Sequence, residues 1–224
     1  MGWAENNYSV PTPSPGRRCH LTFSLCYHAP MQFIVLSSSK GTTFQAILDQ
    51  IADGSLTAEC LGLVSDREDR GCVAKARTAN LPVKIVTKKS GESREAYDER
   101  LDAAIRELGN PDAVAAIGWL YLFTAPFVTK WKNKILNVHP SLLPKHPGLH
   151  AHDEVLAAKE TESGMTIHII DEGLDTGKIL VQKKCSVESN DTIETLKIRV
   201  QELEKEWYPK VLQMIETKEI TLPS

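Results

Sequence analysis

Short apolar stretches alternate with amphipathic ones along most of the chain. From Gln32 the run FIVLS, rich in β-branched residues, predicts a buried parallel strand. The next stretch, FQAILDQIADG, repeats its large apolar residues at helical spacing and ends at Gly54, which predicts a helix. The alternation continues with strands predicted at CLGLVS, LPVKIV, DAVAAIG and KILNV, and with helices predicted at GCVAKARTAN, SREAYDERLDAAIREL and PFVTKWKN. The second of these helices should be capped at Ser93 and end at Gly109.

The last third of the chain departs from this alternation, because two predicted strands follow each other closely. HDEVLAAKE predicts a short helix, GMTIHIID and KILVQKKCSV predict strands that can pair antiparallel, and residues 191–215 predict one long helix, bent near Pro209. Strands separated by helices in this way predict the α/β class, with a single, mostly parallel sheet and helices on both faces. In such sheets, ligands bind beyond the carboxyl ends of the strands.

The beginning of the chain has a different composition from the rest. Residues 1–30 start with turn-forming residues and prolines, and then carry Arg17, Arg18 and a short semi-apolar stretch. A secretory signal needs a longer apolar block after its basic residues. We therefore expect a disordered extension over residues 1–30, a folded domain over 31–218 and a C-terminal tail over 219–224.

Composition and charge narrow the choice of partners. Of the 224 residues, 42% are hydrophobic and 25% are charged, and the net charge is −3, values typical of a globular protein. Both signs of charge are mixed and no apolar run has the length of a membrane span, so we expect neither a nucleic acid nor a membrane partner. The cysteines are odd in number and lack C-x-x-C spacing, which predicts free thiols in a reducing cytoplasm; they are Cys19, Cys26, Cys60, Cys72 and Cys185.

Four of the seven histidines lie in NVHPSLLPKHPGLHAHDE, at the end of the strand predicted at KILNV. Asn137 and His139 are two residues apart at that strand end, so their side chains leave on the same face. An amide can donate to a developing oxyanion, and an imidazole exchanges a proton near neutral pH. The pattern therefore indicates a catalytic pair. The alternative is an ordinary proline-stiffened loop in which Asn137 satisfies backbone groups and His139 packs.

A metal site is a second interpretation of the same histidines. His150, His152 and Asp153 are close enough in sequence to supply three ligands. However, H-x-H in a proline-rich loop matches neither the H-E-x-x-H pair of a helix nor zinc-finger spacing. We therefore predict a site without a metal.

The segment DEGLDTG places three carboxylates, Asp171, Glu172 and Asp175, in a turn after the strand predicted at GMTIHIID. A carboxylate brought against His139 would favour the imidazolium and raise the pKa of that histidine. The alternative is a solvated acidic turn.

The strings ILNVHPSLLPKHPGLHAHDEVL and GMTIHIIDEGLDTGKIL together closely resemble the formyltransferases that use 10-formyltetrahydrofolate. The likeness extends from Met31 to about Ile215. Within it, KHPGLHAH and QELEKEWYP favour the branch that formylates glycinamide ribonucleotide in purine biosynthesis. The resemblance implies a single Rossmann-like formyltransferase domain with formylfolate as cosubstrate. It also implies small-molecule substrates, a cytoplasmic location, and a monomer or homodimer.

In that family, the asparagine and histidine of N-x-H and the aspartate of L-D-x-G form the catalytic group. The resemblance carries these roles to Asn137, His139 and Asp175. It implies that an amine attacks the formyl carbon, that Asn137 and protonated His139 stabilise the oxyanion, and that Asp175 holds the imidazolium. His168 also matches a family position near the site, and the alternative is a histidine satisfied within the sheet.

Two sets of ligand contacts follow from the resemblance alone. The segment S-K-G-T-T stands where the family has a glycine-rich loop that binds the substrate phosphate, so the implied substrate residues are Gly41, Thr42, Thr43 and, from QELEKEWYP, Glu204. The alternative is a plain helix start with Thr42 as the N-cap. The implied folate residues are Arg94, Leu120, Tyr121, Leu122, Phe123, Asp171, Glu172, Gly173 and Leu174, and the family's M-R-I-L reads L-Y-L-F here.

Other acceptors and a non-enzymatic role stay open on the sequence. DEGLDTG is close in wording to methionyl-tRNA formyltransferase, but the chain lacks a basic surface signal for tRNA. A formyltransferase for an amino sugar nucleotide, or a formyltetrahydrofolate hydrolase, would use the same three catalytic residues. The altered S-K-G-T-T loop also allows an inactive folate- or nucleotide-binding protein, although a binding protein has no need of all three.

Overall fold

The computed structural model describes Met1 and residues 29–223. Residues 2–28 and 224 lie outside the described residues, and with them most of the predicted extension 1–30, Cys19 and Cys26. The strands of the described part are β1 (Gln32–Ser37), β2 (Glu59–Ser65), β3 (Val83–Ile85), β4 (Ala113–Ala116), β5 (Ile135–His139), β6 (Glu162–Ile169) and β7 (Ile179–Ser186). The helices are α1 (Thr42–Asp53), α2 (Gly71–Thr78), α3 (Arg94–Leu108), α4 (Ala125–Lys130), α5 (Ala151–Ala157) and α6 (Ile193–Glu216). No helix in this part of the chain is long and apolar enough to cross a membrane.

The strands form one sheet in the order β3-β2-β1-β4-β5-β6-β7. The pairs β1–β2, β1–β4, β2–β3 and β4–β5 are parallel. The pairs β5–β6 and β6–β7 are antiparallel. The predicted α/β sheet, mostly parallel with an antiparallel pair at its end, is confirmed, but the antiparallel β5–β6 pair is an addition that the sequence pattern did not indicate.

Side chains of β1 alternate between two apolar cores, one on each face of the sheet. Phe33 and Val35 are fully buried with residues of α1 and α6, whereas Ile34 and Leu36 are fully buried with residues of α3. The predicted helices on both faces are therefore confirmed. Burial of both faces also explains why this strand is a continuous apolar run rather than an alternating one.

The N-cap of helix α1 is a different residue from the one that the sequence suggested. The N-cap is Gly41, at φ 75°, and no side chain caps the helix. The alternative with Thr42 as N-cap is therefore wrong, and Thr42 is the first helical residue. A Cβ on Gly41 would stand 2.8 Å from Cα of Cys72, so the left-handed turn and the close approach of α2 both require glycine there.

Helices α3 and α6 begin at polar caps contained in the sequence. Ser93 Oγ accepts a hydrogen bond from the backbone three residues on, at 3.1 Å, and α3 ends at Gly109, as predicted. Helix α6 runs as one helix through Pro209. Beside that proline, the Tyr208 hydroxyl donates to the Leu136 carbonyl of β5 at 2.7 Å, which ties α6 to the strand that carries the site.

Replacing Ser93 by Ala removes the side-chain acceptor that caps α3, and we expect the free energy of unfolding to fall by about 1 kcal/mol. Urea denaturation measures the change. Ser90→Ala is the matched control, because Ser90 is exposed and precedes the helix. An equal loss in both variants would contradict the capping role.

Candidate active site

Asn137 and His139 lie at the carboxyl end of β5, on the edge of the sheet where ligands were expected. His139 is the last residue of the strand and is 4% exposed. Asn137 stands opposite His168 in the β5–β6 register, and Asn137 Nδ2 lies 3.1 Å from His168 Nε2. The other ring nitrogen of His168, Nδ1, faces the Ile169 carbonyl oxygen at 3.2 Å. A second buried histidine is therefore held directly against the amide of Asn137.

Asp175 reaches this pair from the segment after β6. Its Oδ2 lies 3.3 Å from His139 Nδ1 and accepts a hydrogen bond from the Gly148 amide at 2.8 Å. Its Oδ1 lies 3.5 Å from His168 Nε2. The backbone of Asp175 is left-handed, at φ 54°, a conformation that aspartate adopts more readily than most residues. The structure thus brings Asn137, His139 and Asp175 together and adds His168 to them.

Burial and the neighbouring carboxylate act on the pKa of His139 in opposite directions. Burial lowers the pKa of His139, and this effect exceeds the opposing influence of the His146 carbonyl and the Asp175 carboxylate. The Asp175 carboxylate does raise the pKa of His139, as expected, but the net shift is downward because the desolvation of the imidazolium outweighs this attraction. For Asp175, burial would raise the pKa, but contacts with His168, Gly148 and the histidine charges together lower it. The resting site therefore combines an ionised carboxylate with a histidine that is neutral near pH 7.

The alternative metal site is not assembled by the histidine-rich loop. His150 is the exposed N-cap residue of α5, and His146 Nε2 faces Glu160 Oε1 at 3.4 Å. Within the described part of the chain, no three His, Cys, Asp or Glu side chains are placed to hold a metal ion. The arrangement therefore does not support His150, His152 and Asp153 as ligands.

The loop after β1 leads into the N-terminus of α1, where the predicted substrate residues lie. The amides of Thr42 and Thr43 belong to the first turn, whose N–H groups have no partner within the helix. The Gly41 amide donates to Ser39 Oγ at 3.0 Å. Thr43 Oγ1 donates to Glu204 Oε2 of α6 at 3.1 Å. Burial raises the pKa of Glu204 to about 7, against the hydrogen bond from Thr43, so a carboxyl group that titrates near neutral pH adjoins the N-terminus of α1.

The segment after β4 carries the predicted folate residues Leu120–Phe123. Arg94 Nη2 donates to the carbonyl oxygens of Leu122 and Phe123, each at 3.1 Å, so this arginine braces the segment. Leu120 and Leu122 are 54% and 62% exposed and form an apolar wall. A cavity of about 200 Å³ lies beside that wall and is lined by Lys88, Arg94, Tyr97, Asp98, Leu120, Tyr121 and Leu122. Because β4 and β5 are parallel neighbours, the segment and the Asn137–His139 end share one edge of the sheet.

The other predicted folate residues form the turn 171–174 that precedes Asp175. Asp171 Oδ1 accepts hydrogen bonds from the Gly173 amide at 3.0 Å and the Thr176 hydroxyl at 2.7 Å, so this side chain closes the turn. Glu172 and Leu174 are exposed at the tip of the turn. The acidic segment is therefore ordered by its own hydrogen bonds and is not merely a solvated turn.

These groups define the class of site. An amide donor, a buried imidazole and an ionised carboxylate can together stabilise an oxyanion and carry a proton. They stand at the carboxyl edge of an open α/β sheet, which also carries the N-terminus of α1 and the cavity beside Leu120 and Leu122. The arrangement is that of an enzyme site suited to acid–base group transfer.

Comparison with known proteins identifies the family. The profile of the family described as Formyl transferase matches residues 31–212, and the chain belongs to this family. The chain is 32% identical over 184 residues to the phosphoribosylglycinamide formyltransferase of Bacillus subtilis, a match that covers 82% of this chain and 94% of that protein. It is 35% identical over 188 residues to the trifunctional purine biosynthetic protein adenosine-3 of Bos taurus, which covers 84% of this chain. The chain spans only 18% of the length of that trifunctional relative.

Solved structures give the same result for the fold. The phosphoribosylglycinamide formyltransferase from Coxiella burnetii superposes with a TM-score of 0.79 at 35% identity, covering 84% of this chain and 88% of that one. Glycinamide ribonucleotide transformylase 1 from Symbiobacterium toebii superposes with a TM-score of 0.82 at 32% identity, covering 87% and 92%. The single α/β formyltransferase domain implied by the sequence motifs is confirmed.

His168 is the site residue that the sequence left undecided. It lies within an apolar strand, where a histidine satisfied in the sheet and a histidine facing a site have the same pattern. The antiparallel β5–β6 register decides between them by placing His168 opposite Asn137. A prediction that β5 and β6 pair antiparallel would have found this contact.

Replacing Asp175 by Asn removes a charge that raises the pKa of His139 while leaving the burial in place. We expect the pKa of His139 to fall further, as measured by NMR titration of its imidazole. Asp171→Asn removes the same charge from the same turn, but Asp171 does not touch His139, so it should leave the pKa of His139 near its wild-type value. An equal fall in both variants would contradict the Asp175–His139 contact.

Glu204 makes the stability of the fold depend on pH near neutrality. The pKa of Glu204 is about 7 in the folded protein and near 4.5 in the unfolded chain. The stabilisation that the protonated carboxyl gives to the fold is therefore complete below pH 4.5 and is lost as the pH rises through 7. In Glu204→Gln, the free energy of unfolding should therefore fall less between about pH 5 and pH 8 than in the wild type, by urea denaturation. Glu202→Gln, at an exposed position of the same helix, should keep the wild-type dependence.

Proposed function

We propose that the chain transfers a formyl group from 10-formyltetrahydrofolate to the amine of glycinamide ribonucleotide. The observation that carries this proposal is the contact of His139 with Asp175 at 3.3 Å, beside Asn137 at the carboxyl end of β5. It is supported by the likeness to the Bacillus subtilis phosphoribosylglycinamide formyltransferase along 94% of that protein.

The proposed reaction is an acyl transfer through a tetrahedral intermediate. The amine nitrogen attacks the formyl carbon, and the carbonyl oxygen becomes an oxyanion near the Asn137 amide and the His139 imidazole. The bond between the formyl carbon and the folate nitrogen then breaks. The proton lost by the amine moves, through His139 or a water beside it, to that leaving nitrogen. The products are formylglycinamide ribonucleotide and tetrahydrofolate, and the step requires no metal ion.

The resting charges suit this proton transfer. His139 is neutral near pH 7 because burial lowers its pKa, so it can take the proton from the attacking amine. The imidazolium that results is stabilised by the ionised Asp175 at 3.3 Å. The Asp175 carboxylate therefore stabilises the site most strongly while the His139 ring carries its positive charge.

The phosphate of glycinamide ribonucleotide is assigned to the N-terminus of α1. The amides of Thr42 and Thr43 and the Thr42 hydroxyl offer hydrogen-bond donors to an anion at this helix end, whereas the Gly41 amide and the Thr43 hydroxyl already donate to Ser39 and Glu204. Glu204, bonded to Thr43 at 3.1 Å, is the carboxyl group next to that anion and is available to accept from a ribose hydroxyl.

The folate is assigned to the apolar edge formed by Leu120–Phe123 and the turn 171–174. The exposed side chains Leu120 and Leu122 and the neighbouring cavity of about 200 Å³ provide an apolar surface for an aromatic ring system. Lys88 and Arg94 line the same cavity together with Asp98, so the lining carries a net positive charge, which suits the carboxylates of a folate tail.

The test is release of tetrahydrofolate from 10-formyltetrahydrofolate, followed spectroscopically, with glycinamide ribonucleotide, with water alone and with an unrelated primary amine. We expect turnover that requires glycinamide ribonucleotide. Asn137→Ala should lower kcat by about 100-fold or more, since it removes an oxyanion donor. His139→Ala and Asp175→Ala should lower kcat at least as much.

Asn110→Ala is the matched control, because Asn110 is exposed and precedes β4 at the opposite edge of the sheet. Its kcat should equal that of the wild type. Release of tetrahydrofolate with water alone would show that the chain is a hydrolase rather than a transferase. Release with the unrelated amine would show that glycinamide ribonucleotide is not the specific acceptor. Formylfolate binding without release under any condition would indicate a binding protein without this activity.

A further inference from the structure

The two ring nitrogens of His139 face different kinds of acceptor. Nε2 lies 2.7 Å from the His146 carbonyl oxygen, and Nδ1 lies 3.3 Å from Asp175 Oδ2. Both partners can only accept a hydrogen bond, and the 2.7 Å contact is too short for two lone pairs to face each other, so the neutral ring carries its proton on Nε2. Nδ1 then holds the lone pair. The nitrogen that takes up a reaction proton is consequently Nδ1, beside the carboxylate.

The His146 carbonyl is held in place by a buried serine. Ser141 is fully buried, and its hydroxyl donates to the Lys145 carbonyl at 2.6 Å with a second, longer contact to the His146 carbonyl at 3.2 Å. His146 itself has a left-handed backbone, at φ 54°, which turns its carbonyl toward the strand end. The position of the Nε2 acceptor therefore depends on the shape of the turn 141–146.

That turn is anchored to the sheet by Thr166 of β6. The Thr166 hydroxyl donates to the Ser141 carbonyl at 2.7 Å and accepts from the Leu143 amide at 3.2 Å and from Gln182 Nε2 at 2.9 Å. A hydroxyl has one donor and two acceptor sites, so every hydrogen-bonding site of the Thr166 hydroxyl is occupied. Thr166 is also fully buried. Gln182 Nε2 also donates to the Leu143 carbonyl at 2.9 Å.

The strand register explains how these side chains meet. His139 is paired with Thr166 across β5–β6, and Thr166 is paired with Gln182 across β6–β7. Directly opposed residues of antiparallel strands point to the same face. The three side chains therefore form one row from the candidate active site to the edge strand.

We propose that Thr166 and Gln182 are positioning residues that fix the Nε2–H tautomer of His139 through the turn 141–146, so that Nδ1 is the nitrogen that exchanges the proton. The functional consequence rests on the formyl transfer proposed above. In that step, the proton leaving the amine binds to Nδ1 between the ring and Asp175, and the same proton passes to the leaving folate nitrogen. Neither Thr166 nor Gln182 touches the reacting atoms.

The first measurement uses the full-length protein labelled with ¹⁵N-histidine, without any ligand. Above the pKa of His139, the ¹⁵N shifts of its ring should show a protonated Nε2 and an unprotonated Nδ1 in the wild type. Gln182→Met removes the exposed amide that grips the turn, and Thr166→Val removes the buried hydroxyl at constant shape. Both should shift the ring toward a mixture of tautomers, while Thr166→Ser should restore the wild-type shifts.

The second measurement is formyl transfer by the same variants. We expect kcat to fall by about 10- to 100-fold in Thr166→Val and about 10-fold in Gln182→Met, with KM unchanged, because a misplaced proton acceptor slows the reaction step and leaves ligand binding intact. Thr166→Ser should recover most of the loss. Lys184→Met is the matched control, since Lys184 is exposed two residues along β7, and it should behave as the wild type.

A wild-type ring protonated on Nδ1 would overturn the proposal. Wild-type tautomer ratios in both Thr166→Val and Gln182→Met would overturn it as well, and so would equal losses of kcat in Gln182→Met and Lys184→Met. If Thr166→Val does not fold, the exposed position of Gln182 still allows the test. The NMR result does not depend on the acceptor, so failure of the proposed function would be distinguished from failure of this inference.

Discussion

Asn137 faces His168, and His139 faces Thr166, across the antiparallel ladder between β5 and β6. The candidate site depends on this register, because a slip of one residue would turn the two β5 side chains away from their partners. The pairing also connects the site to the edge strand of the sheet, because Thr166 is paired in turn with Gln182 of β7. Two antiparallel strands at the end of a parallel sheet thus hold the chemical groups by backbone geometry, and loops only complete the site.

The chemistry of the site follows from how little water reaches it. His139 and His168 are 4% and 1% exposed, so a positive charge on either ring needs a negative neighbour within the protein. Asp175 is that neighbour, with one carboxylate oxygen toward each histidine. Its own place is set by the Gly148 amide and a left-handed backbone. Burial favours a neutral resting imidazole, and the carboxylate makes the protonated state accessible during a reaction.

The ligand-facing groups are arranged along consecutive strands of one edge. The loops after β1 and β4 are joined where the Ser38 amide donates to the Gly118 carbonyl at 3.2 Å. The first of these loops opens α1 at Gly41, and the second carries the apolar wall that Arg94 braces. The Asn137–His139 end of β5 follows directly, because β5 is the next strand of the sheet. The N-terminus of α1, the exposed leucines after β4 and the Asn137–His139 pair therefore lie along one edge of the sheet, on consecutive strands.

The sequence by itself determined the α/β sheet, the cap at Ser93, and the placement of Asn137 and His139 on one face at a strand end. These features are local, because periodicity and caps depend on residues a few positions apart. The tertiary structure decided that Gly41 rather than Thr42 is the N-cap of α1, since the approach of α2 leaves no space for a side chain at Gly41. It also decided that His168 faces the site, and that the net pKa shift of His139 is downward. Strand register and desolvation arise from contacts between residues far apart in the chain, and no local pattern contains them.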